Sequence, residues 1–125
     1  YSVYSYFAPL RQSGPFQIGL QTKRSQAKEA LSVALDVLKA FLAEGPTADE
    51  LAAAKANLTG SFPLRLDSNK KILENVANIG FYGLPLDYLD RYQEKIQAVT
   101  ADDVRRAFAK TVRPDHLVTV TVAAD

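Results

Sequence analysis

Few side chains in this sequence could do chemistry. The single histidine, His116, sits in RPDHLV, just ahead of an alternating apolar segment. A zinc site gathers three or four ligands from His, Cys and carboxylates. One His and no Cys cannot supply a typical set, so His116 reads as a turn residue that starts a strand. A Ser-His-Asp relay would need a nucleophile on an exposed elbow, and no G-x-S-x-G pattern is present. Phosphate-binding and dinucleotide fingerprints are absent as well. Asp102 and Asp103 fall in the first turn of an expected helix, where the helix dipole favours carboxylates. The basic clusters TKR (22–24), NKK (69–71) and VRR (104–106) lie at helix ends or on polar helix faces and read as solvated surface. That leaves the tyrosines of the opening YSVYSYF: Tyr1, Tyr4 and Tyr6. A phenol can donate to a carbonyl oxygen or to an oxyanion developing on it. It is equally at home half-buried in a sheet.

Those tyrosines have to be positioned by a strand. Tyr1 to Phe7 alternates in type with period two, as does PFQIGLQT (15–22), and the intervening APLRQSG has turn chemistry, so a β-hairpin is expected. In a strand Tyr4 and Tyr6 share one face, with Tyr1 on the face of Val3, Ser5 and Phe7. Ser25 is placed to cap a helix carrying Ala27, Leu31, Ala34, Leu35, Leu38, Phe41 and Leu42 on one face, stopped by Gly45-Pro46. Thr47 and Glu50 form a capping-box pattern for a second helix, which Gly60 and Pro63 end or kink. Ser68 starts a third, closed by Gly83 and Pro85. A fourth is expected from about Asp87, and a fifth is capped by Thr100. Leu117 to Ala123 alternates as a strand. The predicted class is α+β: the N-terminal hairpin and the C-terminal strand in one antiparallel or mixed sheet, covered on one face by about five helices.

Bulk properties narrow the function classes. The chain of 125 residues is one domain's worth. Fifteen basic and fourteen acidic residues are mixed along it for a net charge of +1, which leaves no electrostatic footprint for nucleic acid or an anionic membrane surface. No apolar run approaches the roughly 20 residues of a membrane span. Without cysteine there are no disulfides and no thiolate chemistry. On its own residues the chain is not a self-sufficient catalyst.

Several stretches together are distinctive: the opening YSVYSYF, the helix end EGPTADEL, the run GLPLDYLDRYQEKIQAVTADDV and the closing RPDHLVTVTVA. In these the chain resembles the pitrilysin/insulinase family of zinc metallopeptidases, over essentially its whole length. It resembles the later part of one of the family's repeated α+β units, in the C-terminal half. The resemblance implies a clamshell peptidase whose N-terminal half holds zinc through a His-x-x-Glu-His motif and a downstream glutamate, the metal activating a water. None of that motif is in this sequence. No cofactor is therefore expected in this fragment, with zinc belonging to the parent enzyme or a partner subunit. The family's C-terminal half often carries an arginine and, seven residues later, a tyrosine that reaches the substrate backbone. YSV matches the end of that pattern, which makes Tyr1 the tyrosine of the pair and a substrate-binding residue; no catalytic or metal-binding residue is expected here.

The resemblance implies that residues 1–125 are a partial domain whose upstream strands are missing. Its partners would be a zinc-bearing N-terminal half or partner subunit and a peptide substrate, with no nucleic acid and no membrane. A strand edge stripped of its neighbour would favour self-association. Bacterial relatives are often exported, which points to the periplasm, with the cytoplasm as the alternative. Two other readings remain open: a non-catalytic structural homologue, and an unrelated α+β interaction module.

Overall fold

The computed structural model describes residues 1–122. Two compact units make up the chain: Tyr1–Gly45 together with the segment from Arg105 on, and Pro46–Val104. The fold class is α+β, with five α-helices and a two-stranded antiparallel sheet among the described residues.

In the first unit, strands β1 (Ser2–Phe7) and β2 (Phe16–Gln21) pair with Ser2 opposite Gln21 and Phe7 opposite Phe16. The Ala8 N–H donates to the Pro15 carbonyl at 3.0 Å. Counting back along the ladder, Tyr6–Gln17, Tyr4–Gly19 and Ser2–Gln21 are the hydrogen-bonded pairs. Alternation gives the ribbon two characters. One face carries Val3, Ser5, Phe7, Phe16, Ile18 and Leu20. The other carries Tyr4 stacked on Tyr6 at 6.0 Å, with Tyr6 donating to Gln17 and Ser2 to Gln21. Gly14 closes the connecting loop because a Cβ there would lie 1.7 Å from the Ala8 carbonyl oxygen.

Helix α1 (Ala27–Glu44) follows a 3-10 turn over Arg24–Gln26. The expected Ser25 cap does not form: Ser25 lies inside that turn and the N-cap position falls to Gln26, which makes no side-chain bond. The tight turn bonds the Gln26 N–H to the Lys23 carbonyl at 2.9 Å, so the chain is already wound before a cap is required. Gly45, at φ 76°, ends the helix as expected, and its N–H bonds the Phe41 carbonyl at 2.8 Å. Helix α5 (Ala101–Thr111) starts in the second unit and ends in the first. Its Phe108 meets Phe7, Phe16 and Phe41 edge-on, with ring centroids 5.2, 5.9 and 4.9 Å apart. Among the described residues of this unit, Leu38 and Val112 are the buried apolar side chains.

The predicted C-terminal strand is not in the sheet. Leu117 is extended, at φ −73° and ψ 136°, but residues 117–122 make no ladder with β1 or β2; Ala123 lies outside the described residues. Val and Thr alternation gives a segment strand propensity, yet a strand exists only where a neighbour supplies the bonds.

The second unit contains α2 (Ala48–Gly60), a 3-10 turn at Phe62–Arg65, α3 (Asn69–Tyr82) and α4 (Tyr92–Ala98). The capping box at Thr47 and Glu50 is present, with Thr47 N–H to Glu50 Oε2 at 2.8 Å and Glu50 N–H to Thr47 Oγ1 at 3.2 Å. Ser68 caps α3, and Gly83 at φ 63° ends it: the Leu84 N–H bonds the Ile79 carbonyl at 2.9 Å and the Gly83 N–H bonds the Gly80 carbonyl at 3.4 Å. The fourth helix begins at Tyr92 rather than near Asp87, because the chain after Pro85 first runs through tight turns. Among their bonds are Tyr88 N–H to the Pro85 carbonyl at 3.0 Å and Tyr92 N–H to the Leu89 carbonyl at 3.3 Å. Phe62 stacks on Tyr92 at 4.7 Å, and Lys55 Nζ donates to the Gln97 carbonyl at 2.8 Å, which ties α2 to α4. Ile79 is the buried apolar residue of this unit.

Candidate functional site

The apolar face of the hairpin and helix α1 line one groove. At the Phe7 end they are held together by the four-phenylalanine cluster. The open groove has a volume of about 1070 Å³ and is lined by residues from Tyr1 to Phe41 and by Phe108. Its hairpin wall is formed by Val3, Ile18 and Leu20, its helix wall by Val33, Val37 and Phe41. Polar groups on its lining include those of Ser2, Ser5, Gln21, Thr22, Gln26 and Glu29.

Tyr1 lines this groove and is 84% exposed. Its hydroxyl donates to Gln26 Oε1 at 3.4 Å, at the start of the helix wall. The phenol is therefore held loosely, with its ring available to whatever occupies the groove. Tyr4 and Tyr6, on the opposite ribbon face, are engaged with each other and with β2, which is the structural role open to them in the sequence.

His116 takes no part. It sits in a 3-10 turn (Pro114–His116) with Nε2 3.4 Å from Asp115 Oδ2. Among the described residues no three His, Cys, Asp or Glu side chains converge as a metal site would require. Asp103 serves the α5 cap, its N–H bonding Thr100 Oγ1 at 3.1 Å and its carboxylate accepting from the Thr100 N–H at 2.9 Å. The groove can thus bind apolar groups and donate hydrogen bonds from its rim, but it holds no nucleophile–base pair.

The helix wall was not visible as a site in the sequence. Val33 and Val37 lie outside the core stripe that runs through Leu31, Leu35 and Leu38, and both are exposed, Val37 by 62%. The available signal was that α1 carries more apolar residues than one core face needs. Ala30, Val33, Val37 and Phe41 make a second stripe at helical spacing.

Comparison with known proteins agrees with this geometry. The sequence profile described as the Peptidase M16 inactive domain matches residues 1–58, the hairpin, α1 and all but the last two residues of α2. The crystal structure of a peptidase M16 inactive domain from Pseudomonas fluorescens superposes with a TM-score of 0.84 at 38% identity, over 92% of this chain and 27% of that one. The non-peptidase homologue YmxG of Helicobacter pylori is 32% identical over 85 residues, 68% of this chain and 20% of its own length. An uncharacterized zinc protease of Streptomyces coelicolor is 30% identical over 105 residues, 84% of this chain and 23% of its own. The chain thus spans about a fifth of the length of the curated relatives it matches. These matches lead to one assignment: the chain belongs to the pitrilysin family of peptidases, M16, and is similar to the family's inactive domain.

Proposed function

We propose that this chain is the substrate-facing part of an inactive half in an M16 assembly, with zinc and the hydrolytic water supplied by another half or by a partner subunit. The observation that carries the reading is the apolar groove with Tyr1 at its rim. A peptide side chain fits such walls, and a phenol can donate to the peptide backbone. Glu29 and Gln26 would set polarity at the same rim. The zinc-bearing half would contribute the His-x-x-Glu-His motif and the groove would hold the peptide against it, so catalysis would come from positioning rather than from bond chemistry on this chain.

The test is Tyr1→Phe in the longer polypeptide, assayed with its zinc-bearing half or subunit. If the phenol is a principal donor to the transition state, kcat/KM falls on the order of 10²–10³-fold with folding intact. Unchanged kcat/KM removes Tyr1 from the site. A second reading is favoured by the match to the non-peptidase YmxG: a structural subunit with no substrate. Peptidase activity that is absent in every pairing, while a stable complex with an M16 partner persists, selects that reading.

A further inference from the structure

We propose that the groove selects its peptide by charge as well as by apolar fit. A lysine or arginine side chain of the peptide meets Glu29, and apolar side chains two and four residues from it meet Val33 and Val37. The proposal deepens the reading of the groove as a substrate site and rests on it. Among the described residues that line the groove, Glu29 is the one with a charged side chain. Its carboxylate has no cationic partner among the described residues. Lys23, Arg24 and Lys28 are close to it in sequence, yet none of them lines the groove.

Glu29, Val33 and Val37 follow one another at four-residue steps on α1, and all three line the groove. Four residues of helix rise about 6 Å. An extended chain turns every second side chain to the same side, about 6.6–6.8 Å apart. An extended peptide laid along α1 therefore keeps step with all three positions. The Tyr1 hydroxyl donates to Gln26, three residues before Glu29 in the chain, so a phenol and a carboxylate border the same part of the groove. The phenol addresses peptide backbone, and the carboxylate addresses a side chain.

An anion set among apolar walls discriminates between partners more than it adds affinity. A cationic side chain gains a partner there, a neutral one leaves the carboxylate to water, and an acidic one meets repulsion. Lysine and arginine also suit the walls, because their methylene stems pack on apolar surface while the charged head stays in water. Glu29 is exposed, so the pair is a solvated one and its expected size is small. The helix dipole also favours a carboxylate in the first turn of α1. That role makes no demand on the peptide, which is how the two are told apart.

Short labelled peptides test it, with Lys, Gln or Glu at one position and leucines two and four residues away, made in both chain directions. Their Kd values are read from initial fluorescence anisotropy on the longer protein, assembled with its zinc-bearing half or subunit. The Lys peptide should bind about 2–5-fold more tightly than the Gln peptide, and the Glu peptide more weakly than both. Glu29→Gln should level the series and Glu29→Lys should reverse its order. Equal binding of the three peptides, or an order that Glu29→Lys leaves unchanged, overturns charge selection while the groove stays a peptide site. If no peptide binds, the substrate reading of the groove falls and the selection falls with it. Serines in place of both leucines should weaken every peptide, and unchanged affinity would overturn the match to Val33 and Val37.

Discussion

The ring of Tyr4 lies over Gly19, its partner across the hairpin, so closely that a Cβ on Gly19 would sit 2.3 Å from Tyr4 Cζ and 2.4 Å from its hydroxyl oxygen. Glycine weakens a strand, and an aromatic ring covering it restores part of the loss. In Gly19→Ala the ring must swing away, which it can do because Tyr4 is 56% exposed. Alanine regains roughly 0.5–1 kcal/mol of backbone entropy, offset by about the same loss of cross-strand contact. Stability should change little, while NMR contacts between the Tyr4 ring and residue 19 disappear. A ring that stays in place would contradict this geometry.

Gly14 is the contrasting glycine. There the obstacle is the Ala8 carbonyl oxygen, 1.7 Å from the would-be Cβ, and backbone cannot swing aside. Gly14→Ala should cost about 1–3 kcal/mol and open the bond from the Ala8 N–H to the Pro15 carbonyl. Denaturant unfolding of the two variants side by side should rank Gly14→Ala as clearly the worse.

Phe108 is the shared partner of Phe7, Phe16 and Phe41. Phe108→Ala removes three edge-on contacts and leaves a void where hairpin, α1 and α5 meet, for an expected loss of about 3 kcal/mol. Phe108→Leu should recover more than half of it. Equal losses for the two would mean that the ring contacts carry little of the stability.

Acid should weaken α2 through its cap. The Glu50 carboxyl is held below its ordinary value of 4.5, first by the Thr47 backbone N–H and then by the Thr47 hydroxyl. A carboxylate whose folded pKa is depressed stabilises the fold fully above its unfolded pKa. That contribution is lost as pH falls through the folded value, so the effect lies below about pH 4.5. Glu50→Gln keeps an acceptor for the Thr47 N–H but cannot titrate. Its helix signal by circular dichroism should decline less steeply in acid than the parent's, and parallel curves would remove the cap from the acid response.

Most elements were legible because local chemistry specified them. The Thr47–Glu50 box, Ser68, Gly83 and Thr100 mark helix ends through bonds within a few residues, and each end falls where those residues put it. The hairpin register follows from alternation and one loop. Two boundaries were misread where a nearby turn outcompeted a cap: the 3-10 turn at Arg24–Gln26 displaced Ser25, and the turns after Pro85 delayed α4. The C-terminal segment was misread for a different reason. Alternation states that Leu117 to Val122 suits a sheet, but pairing depends on a neighbour, and no local pattern says which strand that is. Of the candidate site, Tyr1 was singled out through its place in a family pattern, and the groove that it lines became visible only in the structure. The valines of the helix wall were missed because one apolar stripe on α1 already accounted for a core.

That second stripe changes how substitutions on α1 should be classified. By exposure alone Val33 and Val37 belong with surface residues, which ordinarily accept almost any polar replacement. If the groove they line is occupied in the working protein, their tolerance for change will instead match that of buried Leu38. A survey of variants scored on the isolated chain would then class as neutral the very positions that the whole assembly holds fixed.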